Sequence, residues 1–173
     1  MDRDTLRALQ APLKSAYKDD PTQALITLKA TGTLGENVSC KVDTGRAIAE
    51  AGLHPATGGD GSLLCSGDML LEALVACAGV TLNAVATAID VHVKEGRVSA
   101  EGDLDFRGTL GVDREAPVGF RDIRLKFELD TDADDEQLAT LLKLTERYCV
   151  VFQSLNTRPQ LDVTLERAAT TAA

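Results

Sequence analysis

Tryptophan is absent from this 173-residue chain, which holds only four phenylalanines and two tyrosines. Base-stacking platforms need aromatic faces, so single-stranded nucleic acid finds little to bind. Basic charge is short as well: 18 Lys and Arg stand against 27 Asp and Glu, a formal net charge of −9. Phosphate backbones call for a basic patch, and nucleic acid is not an expected partner. The opening MDRDTLRALQ lacks the apolar run of an export signal. The four cysteines are therefore expected as reduced thiols of a cytoplasmic protein, not as a disulfide framework. They form no C-x-x-C pair, and the two histidines no H-x-x-x-H, so neither a zinc site nor any other metal is expected. The nucleophile elbow of serine hydrolases, G-x-S-x-G, is missing too. Gly58-Gly59-Asp60-Gly61 has no lysine–serine pair behind it and reads as turn-forming glycine rather than a phosphate cradle.

What is present is a core. The chain is 44% hydrophobic and 26% charged, the composition of a globular domain and not of a disordered one. The rest is organised around residues 66–89, SGDMLLEALVACAGVTLNAVATAI, apolar or small on nearly every side. Such a pattern predicts a long helix buried in the middle of a domain. Glu72 and Asn83 interrupt it, so a membrane span is not expected. Near its centre stands Cys77, and helical spacing puts Ser66, Leu70, Ala73, Leu74, Thr81 and Ala84 on the same narrow face.

Before this helix, residues 2–18 space Leu6, Leu9 and Leu13 for one helical face, stopped by Asp19-Asp20-Pro21. Alternation predicts strands over 24–31 and 38–43, joined by a turn at Gly35-Glu36-Asn37. Cys40 falls on the apolar face of the second and reads as a small core residue. Residues 44–65 lose all periodicity, carry Arg46 and His54, and read as a long functional loop. After the central helix, Val98 to Arg107 and Ile123 to Asp130 alternate as half-buried antiparallel strands. The acid run 130–136 predicts a capped helix start, and the following helix holds Cys149 either within it or at a break. Leu161, Val163 and Leu165 alternate as a last strand. Strands and helices are segregated rather than interleaved, which predicts an α+β domain over 22–168, an N-terminal helical arm over 1–21 and a frayed tail over 169–173.

The chemistry narrows to thiols. A mid-helix cysteine is usually inert, and a reactive one needs a cation nearby, because burial alone raises its pKa. Arg46 is the first candidate for that cation, His54 the second, and Cys149 could serve as a second thiol. The competing reading is a binding module whose cysteines are structural.

The stretch GDMLLEALVACAGVTL, preceded by LHPATGGDGSLLCS, resembles the central helix of the OsmC/Ohr family, the osmotically inducible and organic-hydroperoxide-resistance proteins. The resemblance covers about residues 24–167 and implies an intertwined homodimer, with antiparallel sheets packed around a buried central helix. It implies a thiol-dependent peroxidase without cofactors that reduces organic hydroperoxides at the subunit interface and is recycled by an external dithiol. Cys77 then matches the peroxidatic cysteine and Cys149 the second one. An arginine, here Arg46, would stabilise the thiolate, and an acid at the helix start, here Asp68, would orient it. Leu70, Leu74 and Phe152 would wall an apolar pocket, to which Thr81 and His54 also belong. The chain departs from the family pattern at Ser66-Gly67, where proline is common, and at Val150, where proline usually follows the second cysteine.

Overall fold

A computed structural model describes residues 2–19, 31–34, 39–43, 48–111 and 113–167. The N-terminal helix α1 (Arg3–Asp19) is followed by strands β1 (Thr31–Leu34), β2 (Ser39–Asp43) and β3 (Ile48–Gly52). A short 3-10 turn (Pro55–Thr57) leads to β4 (Leu64–Cys65) and the long helix α2 (Ser66–Ile89). Then come β5 (Val93–Asp103), the single-turn helix α3 (Phe106–Thr109), β6 (Asp122–Thr131), α4 (Asp135–Tyr148) and α5 (Val150–Asn156). One sheet orders its strands β1-β2-β3-β4, and the other is the antiparallel pair β5-β6. This is a mixed α+β fold. Most of the strand expected at 24–31 lies outside the described residues, as do Arg46, the Cys40 side chain and the tail from 168.

The β5-β6 hairpin follows the alternation read from its sequence. Val98 lies opposite Phe127 and Ala100 opposite Leu125. Ile123, Leu125, Phe127 and Leu129 turn inward while Arg124, Lys126, Glu128 and Asp130 stay in water. Gly102 is required where it stands, because a Cβ there would run into the Phe120 ring. The start of α4 is also as expected. Asp134 accepts from the Gln137 backbone N–H at 2.8 Å, and the Gln137 side chain accepts from the Asp134 N–H at 3.0 Å, a reciprocal cap.

Helix α2 spans the residues expected, but it is not buried all round. Leu74, Ala78, Leu82, Val85 and Ala86 are buried, and α2 packs on β5, α4 and α5. Leu82, Val85 and Ala86 form the core with Val91 and Leu141. The opposite stripe, including Ala73 and Ala76, is exposed, and Val80 is 72% exposed. Among the described residues, walls stand on one side of the helix only. By length and composition α2 would pass for a membrane span, but three of its residues, Leu82, Val85 and Ala86, are part of the domain core.

Three other expectations change. Residues 44–65 are not one irregular loop: β3 pairs antiparallel with β2, and β4 parallel with β3. The sheets are thus not wholly antiparallel. Alanine and glycine in IAEAG carry little strand propensity, so only the neighbouring strand reveals β3. Residues 158–167 take no strand pairing among the described residues, and Leu161, Val163 and Leu165 are 82%, 93% and 99% exposed. Their alternation is real, but no described residue covers it. Of the two places expected for Cys149, within the helix or at a break, the structure has the break: its ψ of 109° is extended rather than helical.

Candidate functional site

The break brings two thiols together. Cys149 ends α4, with its N–H donating to the Thr145 carbonyl at 2.9 Å, and immediately precedes α5. It is 1% exposed. On the facing helix α2, Cys77 is half-buried, and the Cys149 thiol beside it helps to lower its pKa. Cys65, Cys77 and Cys149 are all free.

The two sulfurs differ in acidity. Burial works to raise the Cys77 pKa, but the Val151 N–H, the Cys149 thiol, the Val150 N–H and the Thr81 hydroxyl all donate to its sulfur. Together these donors hold it below the ordinary thiol value. Cys149 moves the other way. Burial pushes it up, the Phe152 N–H offsets part of this, and the neighbouring Cys77 sulfur pushes it higher still. Cys77 is therefore the more acidic thiol of the pair.

Beside this pair lies a cavity of about 360 Å³. Leu74 of α2, Ile123, Leu125 and Phe127 of β6, Leu142 of α4, and Phe152 and Leu155 of α5 supply its apolar walls. Arg121, Glu146 and Asn156 add its polar groups. Leu74 precedes Cys77 by three residues and Phe152 follows Cys149 by three, so two of the lining residues stand one helical turn from the cysteines. Arg121 has a second contact, 3.9 Å from the Asp105 carboxylate, which Arg107 holds at 2.6 Å.

The expected site residues separate into two groups. Thr81 reaches the Cys77 sulfur, and Leu74 and Phe152 line the cavity. Leu70 is 38% exposed and not part of that lining. Asp68 sits in the exposed first turn of α2, nine residues before Cys77 and so about 14 Å along the axis. His54 accepts from the Ala56 N–H at 3.0 Å, caps the 3-10 turn and stacks on Phe106 with centroids 4.9 Å apart. It takes no part in the hydrogen bonding of Cys77. Among the described residues no group of His, Cys, Asp and Glu could hold a metal ion. Gly58-Gly59-Asp60-Gly61 makes a turn in which Asp60 accepts from the Ser62 N–H at 2.9 Å.

Sequence reasoning missed the Val150 and Val151 amides and the β6 wall. The inward alternation of β6 was legible, but not that it faces α5. The backbone donors leave no mark in residue type.

A long helix carrying one thiol to a second thiol between two later helices, beside a two-stranded sheet, is the arrangement against which known proteins can be compared. The family model described as OsmC-like protein matches residues 59–164, which include both thiols and the cavity walls. The chain belongs to the OsmC-like family. Helix α1 lies outside the matched span. Solved structures agree on the fold. An OsmC-like protein from Mycoplasma pneumoniae is similar with a TM-score of 0.64 and 19% identity, over 77% of this chain and 89% of that one. An organic hydroperoxide resistance protein from Elizabethkingia anophelis gives 0.61 and 19%, over 78% and 91%. Another from Legionella pneumophila gives 0.61 and 16%, over 77% and 91%. No curated protein matches the sequence.

Proposed function

We propose that this OsmC-like protein is a thiol-dependent peroxidase that reduces organic hydroperoxides, with Cys77 as nucleophile and Cys149 as resolving thiol. The observation that carries the reading is the contact between two thiols of opposite acidity shift. The thiolate is the attacking species, so the lowered thiol attacks and the raised one waits, protonated. Cys77 thiolate attacks the distal peroxide oxygen and the O–O bond breaks. The leaving alkoxide takes a proton and departs as alcohol, and Cys77 becomes sulfenic acid. The Cys149 sulfur then attacks the Cys77 sulfur, water leaves, and a disulfide forms. An external dithiol reduces that disulfide, is itself oxidised and restores both thiols. The apolar cavity lined by Leu74 and Phe152 would hold the organic part of the peroxide. Several structurally similar proteins carry the name organic hydroperoxide resistance protein, which favours the same chemistry. The free cysteines suit a reducing compartment such as the cytoplasm.

The reading includes an intertwined homodimer. The exposed apolar stripe of α2 and the uncovered Leu161, Val163 and Leu165 are apolar surface that a second copy would cover. Arg46, placed by the family resemblance as the thiolate's cation, and Asp68 as its partner belong to the proposal on that ground alone.

One equivalent of cumene hydroperoxide added to the reduced protein is the test, followed by peptide mapping without reductant. A Cys77–Cys149 disulfide is the expected product. Cys77 as sulfinic acid beside a free Cys149 removes the resolving role. Persistent peroxide with both thiols reduced rejects the enzyme in favour of a module that binds an apolar ligand, a reading favoured by a cavity whose lining includes neither sulfur.

A further inference from the structure

In an unbroken helix each N–H donates to the carbonyl four residues back, so Val150, Val151 and Phe152 would bond Glu146, Arg147 and Tyr148. Here the ladder stops with Cys149 N–H on the Thr145 carbonyl and resumes with Gln153 N–H on the Cys149 carbonyl, both at 2.9 Å. The three N–H groups between are released. Those of Val150 and Val151 act to lower the pKa of Cys77, and those of Phe152 and, less strongly, Val151 act on Cys149. Nothing in the covalent chain compels this break. Valine at 150 keeps its N–H and a free φ, so the segment could equally run on as one helix, with Val150 returned to the Glu146 carbonyl.

That carbonyl already has one partner. The Gln153 side chain reaches back across the break, and its Nε2 donates to the Glu146 oxygen at 2.8 Å. The bond spans seven residues and closes over the extended Cys149. It also satisfies one of the carbonyls left open at the end of α4.

We propose that Gln153 is a positioning residue for Cys77: by occupying the Glu146 carbonyl it keeps α4 and α5 apart and leaves the Val150 and Val151 N–H groups on the sulfur. The inference rests on Cys77 as the reacting thiol and adds the device that holds its donors. Without the Gln153 amide, the Glu146 carbonyl recaptures the Val150 N–H and Cys77 loses part of its stabilisation.

The experiment compares the full-length protein with Gln153→Met, which keeps length and removes the donor, and with Gln153→Met combined with Val150→Pro. Proline at the first position of α5 cannot return a hydrogen bond to Glu146 and suits a helix start, so it enforces the break while Val151 keeps its N–H. Alkylation of Cys77 by iodoacetamide is followed by peptide mass spectrometry from pH 5 to 10, with thermal unfolding alongside. Gln153→Met is expected to slow labelling about fivefold at pH 7 and move the profile to higher pH, and the added proline to recover at least half of the loss. A Gln153→Met profile that overlays the wild type overturns the proposal, whatever the melting temperature does. So does a loss that is equal at every pH, or one that proline fails to restore. Peroxide consumption by the same wild-type sample keeps the two claims separate. A wild type that consumes none defeats the peroxidase reading, while the alkylation profile still decides the role of Gln153.

Discussion

Thr81→Val tests the acidity of Cys77 with the smallest change available. Valine has nearly the shape of threonine, so the substitution removes a hydroxyl donor from the Cys77 sulfur and little else. A hydrogen bond to an anion contributes about 1.5–3 kcal/mol. Cys77 is only half-buried, so the lower end applies. About 1.4 kcal/mol corresponds to roughly a tenfold smaller thiolate population wherever the thiol is mostly protonated. The remaining thiolate is less stabilised and intrinsically more nucleophilic. With a Brønsted slope of about 0.4–0.5, tenfold in basicity returns roughly threefold in rate. The two effects set a crossover. With a small aromatic disulfide as probe and Cys77 followed by peptide mapping, the variant should react about threefold slower at pH 7 and about threefold faster near pH 10. Blocked access would slow both limbs alike. Equal slowing at both pH values, or no change at pH 7, refutes the claim that Thr81 holds the thiolate.

Val80→Lys puts a charge on the exposed stripe of α2. Wild type should run as a dimer in light scattering at micromolar concentration, and the variant as a folded monomer, since an unpaired charge in an interface costs several kcal/mol. A monomeric wild type ends the dimer proposal. Asp105→Asn reads the acid limb: the Arg107 side chain beside Asp105 lowers its carboxyl from 3.8 to about 2. The folded-state value lies below the unfolded one, so this stabilisation is complete above pH 3.8 and disappears as pH falls towards 2. Urea unfolding should find the variant weaker at pH 7 and flatter between pH 4 and 2, and parallel acid limbs in the two proteins contradict the assignment.

Local patterns carried a good part of this fold. The limits of α2 at Ser66 and Ile89, the inward set Ile123, Leu125 and Phe127, and the cap at Asp134 all depend on residues within one or two turns of one another. Such features are written in periodicity and capping chemistry, and they were legible in advance. The family signature around Cys77 was legible for the same reason, being contiguous.

Tertiary structure decided the rest. Strand β3 consists of residues with weak strand preference and exists because β2 lies beside it. Asp68 and Leu70 share a helix with Cys77, but rise along the axis carries them away from it. Cys77 and Cys149 are far apart in sequence, and no spacing rule announces that their sulfurs meet. Their meeting depends on α5 packing on α2 and on the helix ending at Cys149, although neither Tyr148 nor Val150 signals a stop. The break can persist because the N–H groups it frees find sulfur acceptors on the facing helix and the Glu146 carbonyl finds the Gln153 amide. Those partners exist only in the folded chain, since hydrogen-bond satisfaction across a break is a property of what packs against it.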